Sequence, residues 1–215
     1  MALANYSDLQ AAVASWLNRS DLTAQIPDFI NLAEVWMMRE LRLRLLETEA
    51  SLTPTTGART TALPADYREP LNLWFVNGVD REPLRFIPAA LLDVYTIAGR
   101  PYQWTIDGAN VAFERPTDGA YTFTFRYRQK VALSAGSPTN ALLTQYPDVY
   151  LFATLVEAAP YLKDKDALAM WEMRRGQAAH KIREEEERQN SQVALSSEAA
   201  LIRPQRTGYN IYRGT

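Results

Sequence analysis

The chain has 215 residues, which is enough for one domain of ordinary size or two small ones. Its 47% hydrophobic and 22% charged residues indicate a chain that folds in water around a buried core. Cysteine is absent, which excludes disulfides, thiolate nucleophiles and cysteine-ligated zinc. A single histidine, His180, excludes histidine-rich metal sites. The net charge of -2 lacks the basic excess that is typical of a free-standing nucleic-acid binder.

The sequence shows no pattern of a secreted or membrane protein. The first residues lack the basic stretch and apolar run of a signal peptide. No apolar run approaches the ~18 residues that a membrane span needs. We therefore expect a cytoplasmic protein that needs no membrane and no cofactor.

Residues 6–47 predict two amphipathic helices. Ser7 and Gln10 have the spacing of a capping box, in which the serine hydroxyl accepts a hydrogen bond from a free amide of the first turn. The second helix is predicted over residues 26–47, because Pro27 suits the first turn of a helix. The apolar residues recur at helical spacing: Leu9, Val13, Trp16 and Leu17, then Ile26, Phe29, Ile30, Ala33, Trp36, Met37 and Leu41.

Residues 49–135 have the pattern of a sheet. Asn-Gly at 77–78 and Asp-Gly at 107–108 and 118–119 are hairpin signals, because these residues tolerate positive φ. Within residues 121–130, aromatic side chains alternate with polar ones, which predicts a strand with one packed face. Residues 88–95 predict a short helix among the strands.

Helical spacing returns after a break at residues 134–138. Two helices are predicted, over residues 146–162 and 164–195, and Pro160 is expected to bend or shorten the first of them. Their apolar stripes are Leu151, Leu155, Ala158, Ala159 and Leu162, then Leu168, Trp171, Ala178 and Ile182.

These elements predict an α+β fold. It is an antiparallel helical bundle built from both chain ends, with an inserted small mixed β module and an extended C-terminal arm. The predicted division is 1–48 for an N-terminal helical hairpin and 49–137 for the β module. Residues 138–196 complete the bundle, and residues 197–215 form the tail.

The tail carries basic and aromatic residues but few apolar ones. Alone it is expected to be disordered, because it buries too little apolar surface to offset chain entropy. It is either an arm that folds on contact with a partner, or a disordered end that orders only by lattice packing. Tyr and Arg are enriched at interface hot spots, which favours the arm. The candidate partner-binding residues are Arg203, Arg206, Tyr209, Tyr212 and Arg213.

Other clusters have a plain interpretation beside a functional one. The arginines at 39, 42 and 44 either face a subunit or nucleic acid, or lie on a solvated helix with partners such as Glu40 and Glu47. The basic residues at 126, 128 and 130 either line a DNA channel or lie on a solvated strand face. The acidic run 184–187 is either a solvated helix end or a wall that repels DNA. The plain interpretation is preferred for each, and His180 is interpreted as a surface residue.

Core packing rather than a ligand pocket is predicted for Trp36, Met37, Met38, Met170, Trp171 and Met173.

Several spaced segments of the chain form a recognisable set. The opening segments are Tyr6-Ser7-Asp8-Leu9, Trp16-Leu17-Asn18-Arg19-Ser20-Asp21-Leu22, Ile26-Pro27-Asp28-Phe29-Ile30, Ala33-Glu34 and Arg39-Glu40-Leu41-Arg42. Together with segments 63–67 and 151–164, they resemble the head-to-tail adaptor (connector) proteins of short-tailed bacteriophages.

The resemblance implies a structural virion protein. Such a protein forms a ring, expected to be a dodecamer, under the portal protein and connects the capsid to the tail. A tail nozzle or tail-fibre component is expected below the ring, and genomic DNA passes through its channel without specific binding. The tail residues named above are implied to bind the portal. The protein would assemble in the host cytoplasm and would lie at the head–tail junction of the virion. No catalysis is expected.

Two other functions remain open. One is a virion-associated enzyme that degrades peptidoglycan with a carboxylate pair, which needs two carboxylates about 5 to 9.5 Å apart across a cleft. The other is a DNA-binding module, which predicts a salt-sensitive affinity for DNA. The sequence pI of about 5.6 argues against the DNA-binding module.

Overall fold

The computed structural model describes residues 3–202, and it describes side chains up to residue 188. The described residues form five α-helices and two four-stranded sheets. The predicted α+β class is therefore confirmed, whereas the antiparallel arrangement of a bundle stays a prediction.

The first two helices are α1 (Tyr6–Leu17) and α2 (Ile26–Glu40). The predicted capping role of Ser7 is wrong. Asn5 caps α1 instead, because it is extended and its side chain accepts a hydrogen bond from the amide of Asp8 at 3.0 Å. Pro27 lies in the first turn of α2, as predicted.

Helix α2 ends at Glu40, seven residues before the predicted end. The chain then becomes extended at Leu41 and makes one 3-10 turn over Arg44–Leu46. Leu41, Leu43 and Leu46 are all buried in the helical core from this irregular segment. Tertiary burial therefore overrides the helical propensity of the sequence.

The C-terminal helices are α3 (Ala141–Gln145), α4 (Pro147–Leu162) and α5 (Lys165–Ile202). Helix α4 packs against α1, α2 and α5. It is apolar on most of its faces, which is typical of a central helix. Pro160 lies inside α4, which ends two residues later where Lys163 adopts a left-handed conformation with φ 58°.

The two sheets lie between α2 and α3 in the chain. The strands are β1 (Glu47–Leu52), β2 (Thr60–Ala62), β3 (Tyr67–Asn77), β4 (Asp80–Pro83), β5 (Arg85–Phe86), β6 (Gln103–Asp107), β7 (Asn110–Phe113) and β8 (Phe123–Gln129). The sheet orders are β1-β8-β3-β4 and β2-β7-β6-β5. All pairs are antiparallel except β5 with β6, so the β module is mixed, as predicted.

Two of the three hairpin predictions are confirmed. The Asn-Gly turn joins β3 to β4, and the first Asp-Gly turn joins β6 to β7, with positive φ at Gly78 and Gly108. The Asp-Gly at 118–119 makes no hairpin, because it lies in a connection between β7 and β8, which belong to different sheets. The predicted helix over residues 88–95 is also wrong, since only Ala89–Leu91 form a 3-10 turn.

The sheets face each other across their own apolar core, separate from the helical core. The predicted alternation in β8 is confirmed, because Phe123, Phe125 and Tyr127 are buried and the residues between them are less so. Phe123 packs on Phe113 at 4.8 Å between ring centroids, and Phe125 packs on Trp104 at 5.7 Å. Aromatic contacts therefore hold the two sheets together.

Candidate interaction surfaces

A buried carboxylate lies at the junction between the β module and the helices. Glu34 of α2 is 4% exposed. Its carboxylate accepts a hydrogen bond from the amide of Leu133 at 2.7 Å and from the hydroxyl of Tyr150 at 3.1 Å. The side-chain amide of Asn140, which caps α3, donates to the same hydroxyl at 2.6 Å. One side chain thus connects α2, α4 and the segment that returns from β8.

Burial raises the pKa of Glu34 to about 7. The two hydrogen bonds favour the ionised carboxylate, but they offset burial only in part. No arginine or lysine among the described residues pairs with this carboxylate, so it binds a proton near neutral pH. Burial is the larger cause that raises the pKa of Tyr150 above its ordinary value, and the negative charge of Glu34 raises it further.

Sequence analysis assigned no role to Glu34, although a signal was present. Its position falls between Ile30, Ala33 and Met37 on the buried face of α2. A charged residue inside an apolar helical stripe is rarely buried without a specific partner. The position of Glu34 in this stripe therefore pointed to a buried polar site.

The partners predicted for the first arginine cluster are wrong. Arg42 and Arg44 follow the end of α2, so they do not lie on a helix face. Glu40 pairs with Arg183 of α5 at 2.9 Å, and Glu47 pairs across strands rather than along a helix. These acids therefore connect elements that are distant in sequence.

The strand cluster is ion-paired. Arg126 contacts Glu47 at 2.6 Å, and Arg128 contacts Glu69 at 2.9 Å, on the strands on either side of β8. Both arginine charges are thus partly neutralised within the sheet. The face is therefore partly exposed, with Arg126 and Arg128 ion-paired across strands and Lys130 exposed.

The acidic run lies inside α5 rather than at a helix end. Glu185 accepts a hydrogen bond from the hydroxyl of Tyr146 at 3.0 Å, and Glu186 accepts one from the amide of Arg44 at 3.0 Å. Glu184 contacts the exposed His180 at 3.2 Å, in agreement with the surface interpretation of that histidine. Part of the acidic run therefore attaches α5 to the rest of the fold.

Core packing is confirmed for only some of the methionines and tryptophans. Met37 and Trp171 are buried, whereas Met170 and Met173 are about half exposed on α5. Trp16, Leu32 and Tyr161 are also exposed on the helical part. The helices therefore present apolar side chains that the described residues leave uncovered.

The longest exposed apolar segment, residues 86–102, was missed. It connects β5 to β6 and exposes Phe86, Leu91, Val94, Tyr95, Ile97 and Tyr102. Its sequence signal is an almost uncharged apolar run without the period of a helix or a strand. We call residues 86–102 the apolar loop.

Glu114 holds the base of the apolar loop. It is 2% exposed, and its carboxylate accepts hydrogen bonds from the amides of Tyr102 at 2.8 Å and Gln103 at 2.9 Å. Arg115 contacts the same carboxylate at 3.4 Å. A buried carboxylate with these partners fixes the point at which the loop enters β6.

Replacing Glu114 by Ala should lower the free energy of unfolding by ~2–4 kcal/mol, because two amides lose their acceptor. Urea unfolding followed by circular dichroism measures this loss. The control is Glu49→Ala, which removes an exposed ion pair with Arg81 and should cost under ~1 kcal/mol. Equal stability of the two variants would show that Glu114 does not hold the loop.

No observation favours the peptidoglycan-degrading alternative. A surface recess of about 580 Å³ at the start of α1 has no carboxylate in its lining. Its walls include Asn5, Tyr6, Gln10, Pro27 and Pro138. Within residues 3–188, no group of three or more His, Cys, Asp or Glu side chains is arranged to hold a metal ion.

None of the helices in the described part of the chain is long and apolar enough to cross a membrane.

The five candidate portal-binding residues, Arg203, Arg206, Tyr209, Tyr212 and Arg213, lie outside the described residues. Their role stays a prediction.

Comparison with protein families gives a match over most of the chain. The model of the family described as SU10 adaptor protein matches residues 4–197, nine-tenths of the chain, which include the β module and both sets of helices. Among curated proteins, no sequence matches the chain. The chain therefore belongs to the SU10 adaptor protein family, and this membership indicates a structural adaptor protein of a bacteriophage.

Proposed function

We propose that this protein is a head-to-tail adaptor that forms a ring, expected to be twelvefold, beneath the capsid portal. The observation that carries the proposal is the family match over residues 4–197. The ring connects the capsid to the tail and continues the DNA channel. Its place is the head–tail junction of the virion, after assembly in the host cytoplasm, and its role is structural rather than catalytic.

The exposed apolar side chains of the helices support contacts between copies. A closed ring needs two different surfaces on each subunit, because its interfaces are heterologous. Met170 and Met173 on α5, with Trp16 and Leu32 on α1 and α2, supply apolar area for such contacts. Twelve copies of the 24.3 kDa chain give a ring of about 290 kDa.

Each predicted part of the chain has its own role in this proposal. Residues 1–48 and 138–196 form the body of the ring, and residues 49–137 face the next tail component, a nozzle or tail-fibre protein. Residues 197–215 reach the portal through Arg203, Arg206, Tyr209, Tyr212 and Arg213. A weak arm repeated around a ring gives a durable joint through avidity.

The test is electron microscopy and native mass spectrometry of the chain mixed with its cognate portal. A chain ending at Ile202 is the matched variant, because it keeps all of α5 and removes all five candidate residues. The full chain should give complete rings on the portal, and the shortened chain should give few or none. No association of either chain would contradict the adaptor function and leave peptidoglycan turnover as the next assay.

Point variants separate specific contacts from general charge. The triple variant Arg203→Ala/Arg206→Ala/Arg213→Ala should weaken portal binding at least ~10-fold, since each arm loses three cations. The control removes three exposed arginines elsewhere: Arg19→Ala/Arg81→Ala/Arg188→Ala. Equal loss in both triple variants would show that net charge, not the arm, determines binding.

A further inference from the structure

The apolar loop exposes a large apolar area for a single segment of chain. Leu91 is 72% exposed and Ile97 is 79% exposed. With Phe86, Val94, Tyr95 and Tyr102, the exposed area is on the order of 600 Å², the upper end for a monomer. A standard interface covers about 800 Å² on each partner. The loop therefore supplies most of one interface.

Backbone hydrogen bonds attach the middle of the loop to the segment that follows β7. The amide of Tyr95 donates to the carbonyl of Glu114 at 2.8 Å, and that of Gly99 donates to the carbonyl of Pro116 at 2.9 Å. The guanidinium of Arg115 lies 5.0 Å from the ring centroid of Tyr95. A preorganised loop loses little conformational entropy on binding, which favours a docking role.

Charge is almost absent from the loop. Its charged residues are Asp93 and Arg100, and Arg100 is ion-paired with Glu82 of β4. A surface of this kind fits an apolar, weakly charged protein surface rather than a nucleic acid or an acidic ligand.

The loop lies away from the helices. Arg100 stacks on Phe75 at 4.2 Å, and Phe75 pairs with Phe123 at the start of β8. The chain leaves the β module at Gln129, at the other end of that strand. Seven residues of strand span ~20 Å, so the loop and the exit toward the helices lie at opposite ends of β8.

The opposite edges of the β module offer a second copy no apolar surface to place on the loop. The loop adjoins the edge strands β4 and β5, and the opposite edges of the two sheets are β1 and β2. A ring closed by rotation brings unlike sides of neighbouring subunits together. Among residues 47–62, which carry those opposite edges, no large apolar side chain is exposed. A neighbouring copy that presented these edges would leave the loop uncovered, so we assign the loop to a different protein.

We propose that the apolar loop is the docking surface for a tail protein with an apolar, weakly charged contact face. The proposal rests on the adaptor function above, in which residues 197–215, and not the apolar loop, bind the portal. Leu91 and Ile97 are its most exposed aliphatic side chains, and Phe86, Tyr95 and Tyr102 are its exposed aromatic ones.

The test uses phage particles that carry Leu91→Asp/Ile97→Asp in the full-length chain. Electron microscopy and mass spectrometry of these particles should show filled heads that keep the portal and this chain but lack tails. The number of tailed particles should fall at least about 10-fold. Burying two unpaired charges in the interface weakens the affinity for the tail protein by more than a factor of ten. The control, Ser51→Asp/Thr60→Asp, adds the same charge on the opposite edges, at exposed positions, and should leave tails normal.

Each other outcome has a defined meaning. Normal tails on the loop variant would overturn the proposal. Heads that lose this chain would also overturn it, because the loop would then serve the ring or the portal. Leu91→Ser/Ile97→Ser adds no charge and should give the same tailless heads if the fold is intact. Absence of the chain from wild-type head–tail junctions would instead contradict the adaptor function.

Discussion

The free energy of unfolding of the wild-type chain should fall by about 3 kcal/mol between pH 4.5 and pH 8 through Glu34 alone. Burial raises the pKa of this carboxyl from 4.5 to about 7 in the folded chain. The difference of about 2.5 pKa units sets the size of the effect, at 1.36 kcal/mol for each unit.

The direction follows from proton binding. Between pH 4.5 and about 7, Glu34 is ionised in the unfolded chain and protonated in the folded chain, so folding takes up a proton. The contribution of Glu34 to the free energy of unfolding is fully present below pH 4.5 and is lost as the pH rises through about 7. The junction between the β module and the helices is thus strongest in mild acid.

Glu34→Gln tests this prediction. Its carbonyl oxygen can still accept from the amide of Leu133 and the hydroxyl of Tyr150, but the side chain cannot ionise. Urea unfolding at several pH values should therefore show a flat profile for the variant across this window. Glu40→Gln is the control, because Glu40 lies on the same helix but is half exposed and paired with Arg183. A steep profile that persists in Glu34→Gln would assign the pH dependence to another group.

The elements that the sequence predicts well are those with a strict local period. In β8 the alternation of Phe123, Phe125 and Tyr127 with polar residues marks the buried face directly. Gly78 and Gly108 mark turns because a positive φ favours glycine there. These signals need no knowledge of the rest of the fold.

The wrong predictions have a common physical cause, which is tertiary packing. Leu41, Leu43 and Leu46 follow α2 in sequence, yet they reach the helical core from an extended segment and a 3-10 turn. Met170 and Met173 have the spacing of core residues, but they are about half exposed. Periodicity identifies an apolar face without saying whether the same chain or another one covers it.

The candidate surfaces were less predictable than the fold. Pattern analysis predicted a short helix over residues 88–95 of the apolar loop, where the structure has one 3-10 turn in an exposed segment. Its position became evident only from its contacts with Glu114 and Phe75. The tail residues were singled out by composition alone, and their role stays a prediction, as does the division of the chain at 48, 137 and 196.

Replacing Trp104 by Ala should lower the free energy of unfolding by about 3–5 kcal/mol, the cost of a large cavity in a core. Trp104 is 1% exposed and packs on Phe86 at 4.9 Å and on Phe125 at 5.7 Å. Its indole N–H also donates to the carbonyl of Leu84 at 3.3 Å, which would lose this partner. The side chain thus joins β6, the apolar loop and β8.

The loss should concentrate in the β module, because its core and the helical core are separate clusters. Hydrogen exchange followed by mass spectrometry should show faster exchange in β6, β7 and β8, with α4 little changed. Tyr102→Ala is the control, since it removes a neighbouring aromatic ring that is mostly exposed and should cost under ~1 kcal/mol. Equal acceleration in α4 and β8 would instead show that the two cores unfold as one cooperative unit.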